Sequence, residues 1–150
     1  MTTVEFTGDI DETSDFADLS RRLTGTVLFH LSEIRRINSS GVREWVDFVS
    51  NLDKVDELIF SHCSPSVVSQ INMIYNFAAG ANIRSFYAPY FCEGCRKEES
   101  KLIDVRSQYP DGVTAEPPEV PCDDCDGTME FDEIADRYLA FLTADKTADK

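Results

Sequence analysis

The amino-acid sequence predicts an α/β fold: a mixed, largely parallel sheet with packed helices, extended by a small C-terminal ribbon and helix. Three observations carry that expectation. Between residues 4 and 90, short apolar runs suited to buried strands alternate with apolar stripes at helical spacing, the order of a parallel sheet joined by helices. Beyond residue 90, two Cys-x-x-Cys pairs, Cys92–Cys95 and Cys122–Cys125, bracket a loop rich in Pro, Gly and acid. Apolar residues make up 42% of the 150, enough for one ordinary core with a stapled appendage.

The elements follow in order. Residues 4–10 read as a strand, apolar at Val4 and Phe6. Phe16, Leu19 and Leu23 fall at helical spacing behind Ser14 and Asp15, either of which can cap. Residues 26–31 form a continuous apolar run short enough for a buried strand. Val42, Trp45, Val46, Val49 and Leu52 stripe a second helix, and residues 58–60 make another buried strand. Val67, Val68, Ile71, Ile74 and Tyr75 stripe a third helix that stops near Gly80, before residues 83–90 return to strand.

Residues 1–90 are therefore expected to form the first domain. Residues 91–142 form a ribbon-like segment, with a strand over 101–106 and a helix faced by Phe131, Ile134, Tyr138, Leu139 and Leu142. Such a stripe on so short a segment needs a surface to cover. Residues 143–150 repeat Thr-Ala-Asp-Lys and are expected to be disordered.

A Cys-x-x-Cys knuckle lets two thiolates reach one tetrahedral ion, and four thiolates close its coordination shell completely. The spacing between the pairs exceeds the shortest zinc-site spacings, which a ribbon tolerates because the second pair only has to arrive in space. The expectation is one structural zinc per chain on Cys92, Cys95, Cys122 and Cys125. A dithiol oxidoreductase is the alternative chemistry. A redox Cys-x-x-Cys normally opens a helix, however, whereas a charged turn follows Cys95 and Asp126-Gly127 follows Cys125.

A nucleic-acid-binding ribbon conflicts with the formal net charge of -14. The acid is concentrated in the cysteine-bearing part, where residues 92–150 carry 7 Lys+Arg against 16 Asp+Glu. No apolar run approaches the length of a membrane span, and the N-terminus lacks a charged n-region and an apolar h-region. A reducing cytoplasm, with thiolates and no membrane partner, is the expected setting. Cys63 closes an apolar run and is expected to be a small buried hydrophobe.

A second motif, Asn38-Ser39-Ser40-Gly41, places two hydroxyls and a glycine where a helix begins after a buried strand. Unpaired N–H groups and the positive dipole end make such a position welcome phosphate. Asn38, Ser39 or Ser40 can equally serve as a simple cap. Arg35, Arg36 and Arg43 stand close by in sequence, a basic cluster in an acidic chain.

Together with the preceding Leu31-Ser32 and the following Val42, this pattern resembles the STAS domain of anti-sigma factor antagonists. The resemblance covers roughly residues 4–90, including the order strand, helix, strand, helix, strand, helix, strand. It implies a non-enzymatic signalling module that binds a protein partner, an anti-sigma factor or a serine kinase, at this helix start: Asn38, Ser39, Ser40, Gly41 and Arg43. It also implies that Ser40, the serine before the glycine, is the phosphorylated residue. Two positions depart from the family pattern: Asn38 stands where an Asp usually precedes the serines, and His30 where the preceding strand usually carries Asp. A lone His between apolar strand residues reads as structural.

Overall fold

A computed structural model describes residues 1–109 and 116–142. Its first half is a four-stranded sheet, β1 (Thr2–Ile10), β2 (Gly25–Ile37), β3 (Val55–Ser61) and β4 (Asn82–Ile83), in that order with every pair parallel. Parallel neighbours require crossovers, and the helical stripes supply them as α1 (Ala17–Arg22), α2 (Ser39–Ser50) and α3 (Pro65–Met73). The element order matches the expected one.

The core is built by alternation. Val27, Phe29 and Leu31 of β2 point inward and are fully buried, and Trp45 of α2 sits at the centre. Phe6, Phe16, Phe29, Phe48 and Phe60 pack around the indole mostly edge-on, Phe77 stacks on it, and its Nε1 donates to the Phe77 carbonyl at 3.0 Å. The opposite side of the sheet is more polar. There Leu28, His30 and Ser32 of β2 are only half-buried, and Thr3 and Glu5 of β1 are exposed.

The second half is a separate antiparallel sheet of β5 (Ser85–Phe91), β6 (Glu98–Asp104), β7 (Val120–Pro121) and β8 (Thr128–Phe131), ordered β6-β5-β8-β7. A mixed, largely parallel sheet with a small C-terminal ribbon was expected; the structure differs in where the one ends and the other begins. The strand expected over residues 83–90 divides: Asn82 and Ile83 finish the parallel sheet, whereas β5 pairs along its whole length with β6. Among the described residues, one isolated β-bridge, between Cys63 and Phe86, runs between the two sheets.

Two smaller differences have local causes. The strand expected over 101–106 gives way to α4 (Val105–Gln108), because the Asp104 carboxylate accepts from Ser107 N and caps a helical turn. Phe131 is not on the last helix. It lies in β8 opposite Tyr90, so α5 (Ala135–Tyr138) starts later, its helical turns resume over 140–142, and Ile134 is exposed at its cap. Tyr75, expected on the third helical stripe, lies past the end of α3 and is exposed.

The apolar face of α5 docks inside the molecule. Asn72 of α3 donates to the Tyr138 carbonyl and accepts from Phe141 N, both at 2.9 Å, while Phe86 meets the Phe141 ring edge-on. One hydrophobic core runs across residue 90, holding Trp45 and Phe60 together with Phe86, Tyr90, Met129 and Leu139. Residues 110–115 of the acidic loop and the repeated tail at 143–150 lie outside the described residues. Among the described residues, no helix is long and apolar enough to cross a membrane.

Candidate metal centre and helix-start surface

Both cysteine pairs occupy hairpin turns. Cys92 and Cys95 lie between β5 and β6, and Cys122 and Cys125 between β7 and β8. Backbone bonds close each turn: Arg96 N donates to the Cys92 carbonyl at 2.7 Å, and Cys122 N to the Gly127 carbonyl at 3.0 Å. Because β8 pairs with β5, the two turns face each other, and the four sulfurs lie within 4.8 Å of one another. A tetrahedral ion with metal–sulfur bonds of about 2.3 Å holds its sulfurs about 3.8 Å apart. The nearest contacts, 3.5 Å from Cys92 to Cys125 and 3.6 Å from Cys95 to Cys122, are close to that value and far longer than a disulfide. The arrangement can hold one metal ion.

The thiols are electrostatically unequal. The Cys95 backbone N–H donates to the Cys92 sulfur and lowers its pKa to about 7. The sulfur of Cys95, hydrogen-bonded to Cys122, is pushed the other way. Cys92 and Cys122 are buried and Cys95 is exposed. Cys63, the fifth cysteine, is fully buried outside this cluster, and desolvation raises its thiol well above the usual range.

An ion-pair chain braces the second turn. Lys97 pairs with Asp124 at 3.1 Å and Glu99 at 3.2 Å, and Lys101 pairs with Glu99 at 3.1 Å and Asp123 at 3.5 Å. Asp123 and Asp124 sit between Cys122 and Cys125, so two lysines at the first turn and on β6 hold the second turn in place. Asp124 and then Glu99 raise the Lys97 pKa, while Lys101 and then Lys97 lower that of Glu99. Their pairing depends on the hairpins meeting. Tyr90 OH also donates to the Pro118 carbonyl at 2.7 Å, tying the approach to β7 onto β5.

The helix-start motif lies where β1 and β2 finish. Asn38 is the cap: its Oδ1 accepts from Gly41 N at 2.8 Å, and its own N donates to the Ile10 carbonyl at 3.1 Å. Gly41 is buried, and a Cβ there would overlap the Ile10 carbonyl, so only glycine lets α2 approach β1 this closely. Ser39, Ser40 and Arg43 are exposed, as are Arg35 and Arg36. None of the three arginines takes an ion pair among the described residues. The N-terminus of α3 adjoins them, with Ser66 Oγ donating to the Arg35 carbonyl.

Sequence reasoning treated His30 as an isolated structural residue. The fold stacks it on His62, with ring centroids 4.3 Å apart and planes 23° from parallel. Ser61 Oγ lies 2.5 Å from His62 Nδ1, and Ser32 Oγ 3.4 Å from His30 Nδ1. No local pattern foretells this, because His62 reaches the pair through a left-handed φ of 54° just past β3.

No protein-family model, curated protein or solved structure matches this chain.

Proposed function

We propose that the chain is a non-enzymatic signalling or scaffold module of the anti-sigma factor antagonist type. It docks a protein partner at the start of α2 and carries one structural zinc on Cys92, Cys95, Cys122 and Cys125. The supporting observation is the seating of α2. Contact between Gly41 and the end of β1 fixes the helix start, and Ser39, Ser40 and Arg43 stand exposed on that fixed backbone. Binding surfaces of open α/β sheets gather at the carboxyl ends of the strands, which is where this turn lies. A phosphate on Ser40 would meet the α2 dipole and Arg43, changing the docking surface more than the core.

The cysteines have no catalytic work in this reading. A shell of four thiolates leaves no position for substrate, and neither pair opens a helix that would activate a redox thiol. A cytoplasmic setting keeps the thiolates reduced. The partner is an anti-sigma factor or a serine kinase, and the net charge of -14 argues against nucleic acid.

The experiment is affinity capture from the native cell on wild type, Ser40→Ala and Ser40→Asp, with phosphopeptide mapping of the wild type. Wild type and Ser40→Ala should retain the same partner and Ser40→Asp should lose it, with little change in melting temperature. Partner retention unaffected by Ser40→Asp would remove this surface from the docking site.

A further inference from the structure

The four sulfurs are matched across the two hairpins as well as within each turn. Cys92 faces Cys125 at 3.5 Å and Cys95 faces Cys122 at 3.6 Å. Gly94 of one turn and Gly127 of the other straddle the first of these contacts. A Cβ on Gly94 would lie 3.4 and 3.7 Å from the Cys125 and Cys92 sulfurs, and one on Gly127 would lie 3.4 and 3.5 Å from them. A disulfide needs the two sulfurs of each matched pair to close by about 1.5 Å. Cys95 offers the point of attack, because it is the exposed thiol beside a buried Cys92 and Cys122.

We propose that this centre is a redox-convertible staple, in which peroxide replaces the bound ion by two cross-hairpin disulfides, Cys92–Cys125 and Cys95–Cys122. The proposal rests on the metal reading above. In the first step the exposed Cys95 sulfur, held as thiolate by the ion, attacks one peroxide oxygen, the O–O bond breaks, and Cys95 becomes a sulfenic acid as hydroxide leaves. The Cys122 thiolate then attacks the Cys95 sulfur and expels a second hydroxide, forming the disulfide. Two thiolates have lost two electrons, one peroxide has gained them, and two protons turn the hydroxides into water. With two ligands gone the ion departs, and a second peroxide oxidises Cys92 and Cys125 in the same way.

The pairing decides the consequence. Cross-hairpin bonds keep the β5–β6 turn fastened to the β7–β8 turn, as the ion did, and so close a long chain segment. Bonds within each Cys-x-x-Cys would close only short loops and leave the hairpins free of each other. The oxidised chain therefore sheds metal and keeps its shape.

The test uses the full chain loaded with zinc, its metal content read by native mass spectrometry before hydrogen peroxide is added. Released zinc is followed with a chromophoric chelator, and disulfides are mapped after cleavage at Glu93 and at Asp123 or Asp124, which separates the cysteines of each pair. The expected result is loss of the zinc with the first equivalent of peroxide and, after the second, Cys92 linked to Cys125 and Cys95 to Cys122. The oxidised chain should melt above the reduced, chelated one. Cys95→Ser should release zinc more slowly and give the Cys92–Cys125 bond alone. Disulfides within each pair, or over-oxidised cysteines with zinc retained, would overturn the proposal. A chain that takes up no zinc in the first spectrum removes the metal reading, and its peroxide map then decides the pairing independently.

Discussion

At Gly41 the absence of a side chain sets the position of a whole helix. Any Cβ there overlaps the Ile10 carbonyl oxygen and crowds Asp11 N, both backbone atoms that cannot turn aside. Gly41→Ala should therefore destabilise the fold by about 1–3 kcal/mol, the usual cost of overpacking. For a chain of this length that lowers the melting temperature by roughly 2–4 °C per kcal/mol. Ser40→Ala, at an exposed neighbour, should leave the melting temperature within error. The glycine was visible in the sequence as part of a motif, yet its reason was not, because the clash is with a strand thirty positions earlier. The histidines carry a second residue-scale prediction. Burial first, and His30 second, lower the His62 pKa below 6.5. The unfolded chain then binds a proton on His62 before the folded chain does, so stability falls as pH drops through 6.5 toward the lower folded value. Chemical denaturation from pH 7.5 to 5.5 should show this loss, and His62→Gln should flatten that part of the profile. A wild-type profile already flat across that window would contradict the lowering by burial and by His30.

At the scale of elements, periodicity located α2 and the buried strands well, because their apolar residues alternate or stripe against one uniform core. It failed where an element changes partner. Residues 83–90 carry one apolar pattern but serve two sheets, and nothing local marks Arg84 as the point of transfer. Phe131 fits a helical stripe with Tyr138, yet the ladder with Tyr90 claims it for β8. The last helix is held by Asn72, whose amide satisfies one donor and one acceptor of the chain at Phe141 and Tyr138. Asn72→Ala should cost about 1–2 kcal/mol by removing two hydrogen bonds to this half-buried backbone. Hydrogen exchange should rise in residues 135–142 and leave β2 unchanged. Equal protection of α5 in both proteins would mean that apolar packing alone secures it.

On the scale of the whole molecule, the cysteine spacing pointed to a cluster able to hold a metal ion, and the two hairpins bring all four sulfurs together. The Lys97–Glu99–Lys101 bracing and the continuous core were not legible, since both depend on how the two sheets meet. Metal binding contributes folding energy where a site closes otherwise independent turns. Chelation should therefore raise hydrogen exchange in residues 92–97 and 120–128 first, with the parallel sheet protected longer; simultaneous loss everywhere would show that the metal supports the entire core. Whether the exposed start of α2 docks a partner, as proposed, is tested most directly by site-specific photo-crosslinking in the native cell. A photoreactive residue at position 40 should yield one discrete protein adduct, and the same residue at the exposed position 75, beyond α3, should not. Adducts from both positions alike, or from neither, would contradict docking at the start of α2.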